Sequence, residues 1–533
     1  MTSQPLPERA NLEQLKKQAK SLLHAVQAGE PNALRRFQAL PQLARVSLTE
    51  LGGTGFALHD AQSVIAREYG FKSWNEMREH VEDRSLTFAG AVDEFLRCAT
   101  GGAPGRAMRL LERYPAIAQT NLHTELVLGD AAAVEARLRK DPEAVNRPGG
   151  IQNWEPLLYV CHTCMTHNAP ERAAGLVAIT RGLLALGANP NTEYHWEWHR
   201  ELPRTALWGA LCAVNHLPLA EALLEGGANP TDGVSMHITA GSANLPALEL
   251  LHRFGGNVNG IPGGVPPLRY ILGWAANTPE RSAGVRWLLD HGADPNLAWS
   301  ESGDAPLHIA AERWDIPMIE LLVLHGADIH QRRRDGRTAY TVAAMHGNKD
   351  VAAWLLAHDA KDELSPLERF VSACTRGDRA KADEMLGAHP NLSAELRIEH
   401  HLLMHVPAER GDAGVLGTML ACGFDPNVKD HDGVTTLHRA AMAGRADAVR
   451  VLLAYGASVN ALDGMFAGMP LLWASHGWKN NPHQKSDVDY LGTARQLIAA
   501  GSVLEWIPPE KAPDPEGAQE ELIELCRAAA AAS

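Results

Sequence analysis

LLDHGADPN, residues Leu288–Asn296, closes one helix and turns the chain towards the next. The paired leucines end a short helix and face inward. Gly292 follows where the chain must turn left-handed, which glycine does at least cost. Asp294, Pro295 and Asn296 then build a tight turn. The next helix opens in DAPLHIAA (Asp304–Ala311) with a polar residue and a proline, the preferred chemistry of a helix start.

The same phrase recurs along the chain. It reads LLALGANPN at Leu183–Asn191, LLEGGANP at Leu223–Pro230, LLVLHGAD at Leu321–Asp328, LACGFDPN at Leu420–Asn427 and LLAYGASVN at Leu452–Asn460. Divergent copies are LHRFGGNVN (Leu251–Asn259), LLAHDAK (Leu355–Lys361) and LIAAGS (Leu497–Ser502). The repeated glycines are Gly187, Gly227, Gly255, Gly292, Gly326, Gly423, Gly456 and Gly501, with intervals such as 34 (Gly292–Gly326) and 33 (Gly423–Gly456). In LLAHDAK, Asp359 stands where the glycine is lost.

The segments DAPLHIAA and TTLHRAA (Thr435–Ala441) resemble the T-P-L-H-x-A signature of ankyrin repeats. RDGRTAYTVAA (Arg334–Ala344) and HDGVTTLHRAA (His431–Ala441) also carry that family's D-G-x-T approach. The resemblance covers most of residues 90–505 and implies an all-α solenoid of about twelve helix-turn-helix units. It further implies a concave face, lined by turn fingers and first helices, that binds another protein.

A second level of repetition relates VDEFLRCATGGAPGRAMRLLERYPAIA (Val92–Ala118) to LERFVSACTRGDRAKADEMLGAHPNLS (Leu367–Ser393). This divides the array into two tandem blocks, residues 85–361 and 362–510. Residues 1–84 do not follow the repeat. Helical spacing runs through Asn11–Gly29, Asp60–Gly70 and Ser73–Glu82, the last with Ser73 and Glu76 in a capping-box spacing. The set resembles a small helical module found ahead of bacterial ankyrin arrays, which implies a bacterial source. Its plain reading is a structural cap. Residues 511–533 read as a C-terminal capping helix and tail.

Composition limits the function. The net charge is −14, which opposes nucleic-acid and anionic-membrane binding, since both need clustered cations. Seven cysteines, an odd count and mostly in apolar helical contexts, fit a reducing cytoplasm better than a disulfide framework. The N-terminus lacks signal-peptide layout, and no run approaches the roughly 18 apolar residues of a membrane span. A monomeric cytoplasmic protein is expected.

No phosphate loop, H-E-x-x-H or G-x-S-x-G motif appears. Neither catalysis nor a cofactor is expected. The rival reading is a metal-dependent enzyme using Cys161, Cys164 and His167 in CHTCMTH, although no second C-x-x-C follows and the segment sits on a repeat helix. His401 and His405 in IEHHLLMH are four apart and read as ordinary helix residues. A bacterial effector binding a host protein is a third reading with the same binding physics.

Two segments stand out as partner contacts. TEYHWEWHRELP (Thr192–Pro203) is an insertion that stretches one interval to 40 residues and packs Tyr194, His195, Trp196, Trp198 and His199 together. Large aromatic residues on an extended finger are what binding hot spots are made of, with Trp196 and Trp198 pointing the same way. The alternative is that the tryptophans fold back on the neighbouring repeat. QRRRDGRT (Gln331–Thr338) places Arg332, Arg333, Arg334 and Arg337 at a turn tip, either solvated or an anion docking point. Three further insertions fall near His167–Arg172, Asn277–Ser282 and His476–Tyr490; the last and longest holds Trp478 and His483.

Overall fold

The predicted turn glycines are left-handed. Gly187, Gly227, Gly255, Gly292, Gly326, Gly423, Gly456 and Gly501 have φ between 84° and 95°. Asp359 takes the same conformation at φ 76°, so the copy that lost its glycine keeps the turn at the cost of mild strain. Around Gly292 the reason is visible. Its N–H reaches Leu289 O at 3.0 Å and Ala293 N–H reaches Leu288 O at 2.9 Å, which caps the carbonyls of the helix Pro279–Asp290.

These observations come from a computed structural model. It describes residues 5–7, 10–38, 40, 43, 46–52, 56, 58–71, 74–166, 169–196, 199–273, 278–299, 303–480, 488–503, 522, 525, 526, 528 and 529, with side chains except at 50, 59, 75, 196 and 199–202.

Among the described residues, twelve helix pairs follow one another from Phe88–Thr100 with Pro104–Arg113 to Pro470–Asn480 with Tyr490–Ala499. The chain forms two compact units. One comprises Ser85–Ala343 and Asp350–Asp362; the other comprises Met1–Arg84, Ala344–Lys349 and Glu363–Ser533. In the first unit, the second helices bury Leu183, Leu223, Leu251, Leu288 and Leu322 at 0% exposure. Each such leucine contributes roughly 1.5–3 kcal/mol by leaving water. In the other unit Leu452 and Leu497 are likewise at 0%, and Leu420 is also buried. The two related segments found in the sequence share a plan. Each is two helices followed by a 3-10 turn, Pro115–Gln119 in one and Leu392–Glu395 in the other.

The signature histidine explains how a first helix is held to its neighbouring finger. His308 is 1% exposed. Its Nδ1 accepts the Ala305 N–H at 3.2 Å, and its Nε2 donates to Gln331 O at 3.0 Å. His438 repeats this with Thr435 N–H at 3.1 Å and Gly468 O at 3.0 Å. A ring that accepts at one nitrogen and donates at the other is neutral. Burial accordingly pushes both imidazoles below their ordinary value.

Residues before 85 form helices Leu12–Gln27, Pro31–Phe37, Leu48–Gly52, Leu58–Glu68 and Trp74–Ser85. Their own core holds Leu15, Leu22, Phe37, Ile65 and Met77, and Arg36 pairs with Glu68 through two bonds of 2.7 and 2.8 Å. Asn11 caps the first helix, its side chain accepting the Glu13 N–H at 2.8 Å. Ser73, half of the predicted capping box, lies outside the described residues, as does most of 504–533. No helix among the described residues is long and apolar enough to cross a membrane.

Candidate partner-binding surface

Among the described residues, four fingers are each held by a single bridge: Gly149 with Trp154, Trp299 with Asp304, Arg332 with Thr338 and Lys429 with Thr435. The insertion at 192–203 extends one of them into a hairpin, strands β1 (Glu193–Trp196) and β2 (His199–Thr205). They are antiparallel, with Tyr194 opposite Arg204, His195 opposite Pro203 and an irregularity between His195 and Trp196.

The base of this hairpin is clamped by aromatic rings. Tyr194 lies 4.2 Å from Trp154 of the preceding finger and edge-on to His162 at 5.1 Å. His162 stacks on Trp208 at 5.7 Å, and the Arg204 guanidinium covers Trp208 at 4.0 Å. The cluster is anchored below by Tyr159, whose hydroxyl donates to Gly149 O at 2.8 Å and accepts from Gln152 N–H at 3.1 Å. Rings at these separations, with a cation on one face, add stability beyond the area they bury. Tyr194 is thus a clamp residue. His195 is half exposed and pairs with Glu193 at 3.4 Å. Trp198, and the side chains of Trp196 and His199, lie outside the described residues.

Two of the four arginines in the turn, Arg333 and Arg337, are paired with carboxylates. Arg333 meets Asp304 at 3.1 Å and Asp335 at 3.5 Å; Arg337 meets Asp335 at 3.2 Å. Arg332 donates to Gly336 O at 2.9 Å, and Arg332 and Arg334 are both exposed. Trp478 is not in a loop. The helix Pro470–Asn480 runs through it, and the ring is half-buried against the core of its unit. Gly477 causes this, because a Cβ there would lie 2.1 Å from Met442 O; the glycine permits a close helix contact and does not end the helix. His483 lies outside the described residues.

The residues of the metal reading turn to separate partners. Cys161 is fully buried, and burial raises its thiol far above the ordinary range. Cys164 Sγ donates to Cys98 O at 3.5 Å, and His162 Nε2 faces Thr205 O at 3.3 Å. His167 lies outside the described residues. His401 and His405 are separated by the 3-10 turn Leu402–Met404. His401 Nδ1 accepts the Asp425 N–H, while burial, then Arg439, pushes His405 down to about 4.

One recurrent side chain, which the sequence places only in the tight turn, does more. The asparagine four residues after the turn glycine reaches into the following unit. Asn296 Nδ2 donates to Gly326 O at 2.8 Å, and its Oδ1 accepts the Asp328 N–H at 2.7 Å. Asn259 does this to Gly292 and Asp294, Asn427 to Gly456 and Ser458, and Asn460 to Gly501 and Val503. Thr231 supplies only the acceptor half, to Asn257 N–H. The G-x-x-x-N spacing was visible in the sequence, but its partner lies some thirty residues on. Asn296→Ala removes both bonds and is expected to lower stability by about 1–2 kcal/mol. A urea melt reads this, and an unchanged midpoint would discard the ladder as a stabilising device.

A family model described as "Ankyrin repeats (3 copies)" matches residues 272–365 and 371–484. The chain is 30% identical over 174 residues to human SH3 and multiple ankyrin repeat domains protein 2, covering 32% of this chain and 9% of that one. It is 28% identical over 171 residues to mouse Rabankyrin-5, covering 31% and 14%. It is 38% identical over 61 residues to mouse 2-5A-dependent ribonuclease, covering 11% and 8%. The chain therefore spans a small fraction of each relative's length. The crystal structure of the human ASB11 ankyrin repeat domain aligns with 46% of this chain and 99% of its own, at 24% identity and a TM-score of 0.34. The fold is an all-α ankyrin-repeat solenoid.

Proposed function

We propose that this chain is a non-catalytic scaffold that binds another protein through its turn fingers and the first helices beside them. One observation carries the reading: the β1–β2 hairpin is an insertion whose base is fixed by Tyr194, Trp154 and His162. A fixed base lowers the ordering cost of any contact made by the residues beyond it. Trp196, Trp198, His199 and His195 are the contacts assigned there, with Arg332 and Arg334 as a second, cationic point. Arg333, Arg337, Tyr194 and Trp478 hold these positions or the core in place. Ankyrin-repeat relatives that combine such arrays with other segments support a binding role.

In this reading the protein acts as a monomer in the cytoplasm, which its seven free thiols support. Residues 1–84 form a separate module ahead of blocks 85–361 and 362–510. The bacterial source implied by that module rests on its resemblance alone; the relatives named above are from human and mouse.

The test is affinity capture from native lysate with wild type, Trp196→Ala/Trp198→Ala and Arg332→Glu/Arg334→Glu. The expected result is a protein retained by wild type and reduced at least tenfold by the tryptophan variant, since aromatic hot spots cost about 2 kcal/mol or more when truncated. Equal retention by all three would remove the hairpin and the arginine tip as the site.

A further inference from the structure

Two imidazoles meet on the surface of the first unit, at the ends of successive second helices. His252 lies in the last turn of the helix Leu245–Arg253, and His291 is the C-cap of the helix Pro279–Asp290. Their ring centres are 4.9 Å apart at an interplanar angle of 77°, and both residues are exposed. The ring of Trp287 walls the pair, stacked on His291 at 4.1 Å and edge-on to His252 at 5.7 Å. His291 Nδ1 donates to Trp287 O at 2.7 Å, which fixes the tautomer and leaves the Nε2 lone pair for another partner. Among the described residues, no hydrogen bond reaches His291 Nε2 or either ring nitrogen of His252. The neighbouring charges are engaged elsewhere: Arg253 pairs with Glu221, and Asp290 faces His325 Nε2 at 3.0 Å.

We propose that His252 and His291 chelate one divalent transition-metal ion of the zinc class, bridging two successive units of the array. A metal-binding imidazole ligates through one nitrogen while the other donates to a carbonyl or carboxylate, and His291 already has that arrangement. Two imidazoles on one tetrahedral zinc, with Zn–N of about 2.0–2.1 Å, have ring centres about 5 Å apart, which the 4.9 Å separation meets. Both rings stand at helix C-termini, where the unpaired carbonyls carry a partial negative charge that favours a cation. Imidazole donors suit zinc, copper or nickel and not calcium or magnesium, which take oxygen. Among the described residues no third histidine, cysteine or carboxylate joins the pair, so water completes the coordination. The site is therefore an open surface clip between units and not a closed structural centre.

This site is separate from the hairpin and the arginine tip, and its occupancy does not depend on partner binding. The full chain, purified without a histidine tag, is labelled with diethylpyrocarbonate across a Zn2+ titration, and each histidine is followed by mass spectrometry. The expected result is that His252 and His291 are labelled without metal and become protected together, on one curve. A calorimetric titration with Zn2+ should lose the same single equivalent in His252→Gln and in His291→Gln. It should keep that equivalent in His431→Gln, which alters the separate group Asp430, His431 and Asp432. Protection of neither residue, or of one without the other, would overturn the proposal. So would an unchanged stoichiometry in either of the first two variants, or loss of the equivalent in the third. Both imidazoles are exposed, so their substitution leaves the core intact, and the labelling of wild type needs no variant at all.

Discussion

Gly175→Ala is expected to destabilise the unit built from Ser85–Ala343 by about 3 kcal/mol or more, the upper range of overpacking. Gly175 lies inside the helix Pro170–Ala185, where alanine is ordinarily the better residue by about 1 kcal/mol. A Cβ there would stand 1.9 Å from Gly129 O, a backbone atom in the left-handed cap of the helix Leu122–Leu128. Gly129 is constrained in return: at φ 72°, its own Cβ would meet Arg172 O at 2.5 Å. Neither side has a flexible group that can yield. The same helix supplies the control. Gly182 has open space around it, so Gly182→Ala should gain about 0.5–1 kcal/mol. Denaturant unfolding of both variants separates steric contact from helix propensity. If Gly175→Ala behaved like Gly182→Ala, the close approach of helix 170–185 to the Gly129 turn would be wrong.

Acid should weaken the same unit through His162. The ring is enclosed by Trp154, Tyr194 and Trp208 and is 5% exposed. Burial is the main cause that pushes it down to about 3; Thr205 O opposes this and Arg204 adds to it. The unfolded ring titrates near its ordinary value of 6.5. Below that value the unfolded chain takes up a proton that the folded one refuses, so stability present above pH 6.5 drains away as the pH falls towards about 3. At about pH 4.5 the loss from this one group is about 2–3 kcal/mol. His162→Phe keeps a ring in the cluster and removes the proton site. Its melting midpoint should change less than that of wild type between about pH 7 and 4.5. Equal acid sensitivity in the two proteins would assign the effect to other groups, His405 among them.

What the sequence made legible was local. The Leu-Leu-x-x-Gly phrase, the left-handed turns and the helix start at Thr435 depend on residues within a few positions of each other, although the helix after Asp304 is capped at Ala305 and not at Asp304. So did the presence of an inserted finger at 192–203. Helical glycines were harder. Gly477, next to Trp478 and followed by asparagines, reads as a loop signal, yet it is a contact point against Met442 within a helix. Composition alone does not separate a glycine that ends a helix from one that lets another backbone approach. Trp478 was misplaced for that reason. The compensation of Arg333 by Asp304 was hidden likewise, since that carboxylate lies on the preceding finger. Tyr194 looked like an exposed contact because its partners, Trp154 and His162, come from the unit before.

The asparagine bridges give the array a direction. Asn259, Asn296, Asn427 and Asn460 each offer an amide forward and take a backbone N–H from the same forward neighbour. Nothing equivalent returns through these residues. Every junction they make is head-to-tail, with a donor–acceptor face that fits only the opposite face of another unit. Any stretch of such units has two unlike ends, one with an idle asparagine and one with an idle glycine carbonyl. Units can therefore be inserted, removed or exchanged along the chain in the same sense without redesigning the joint, whereas a reversed unit would leave the glycine carbonyl without its asparagine donor.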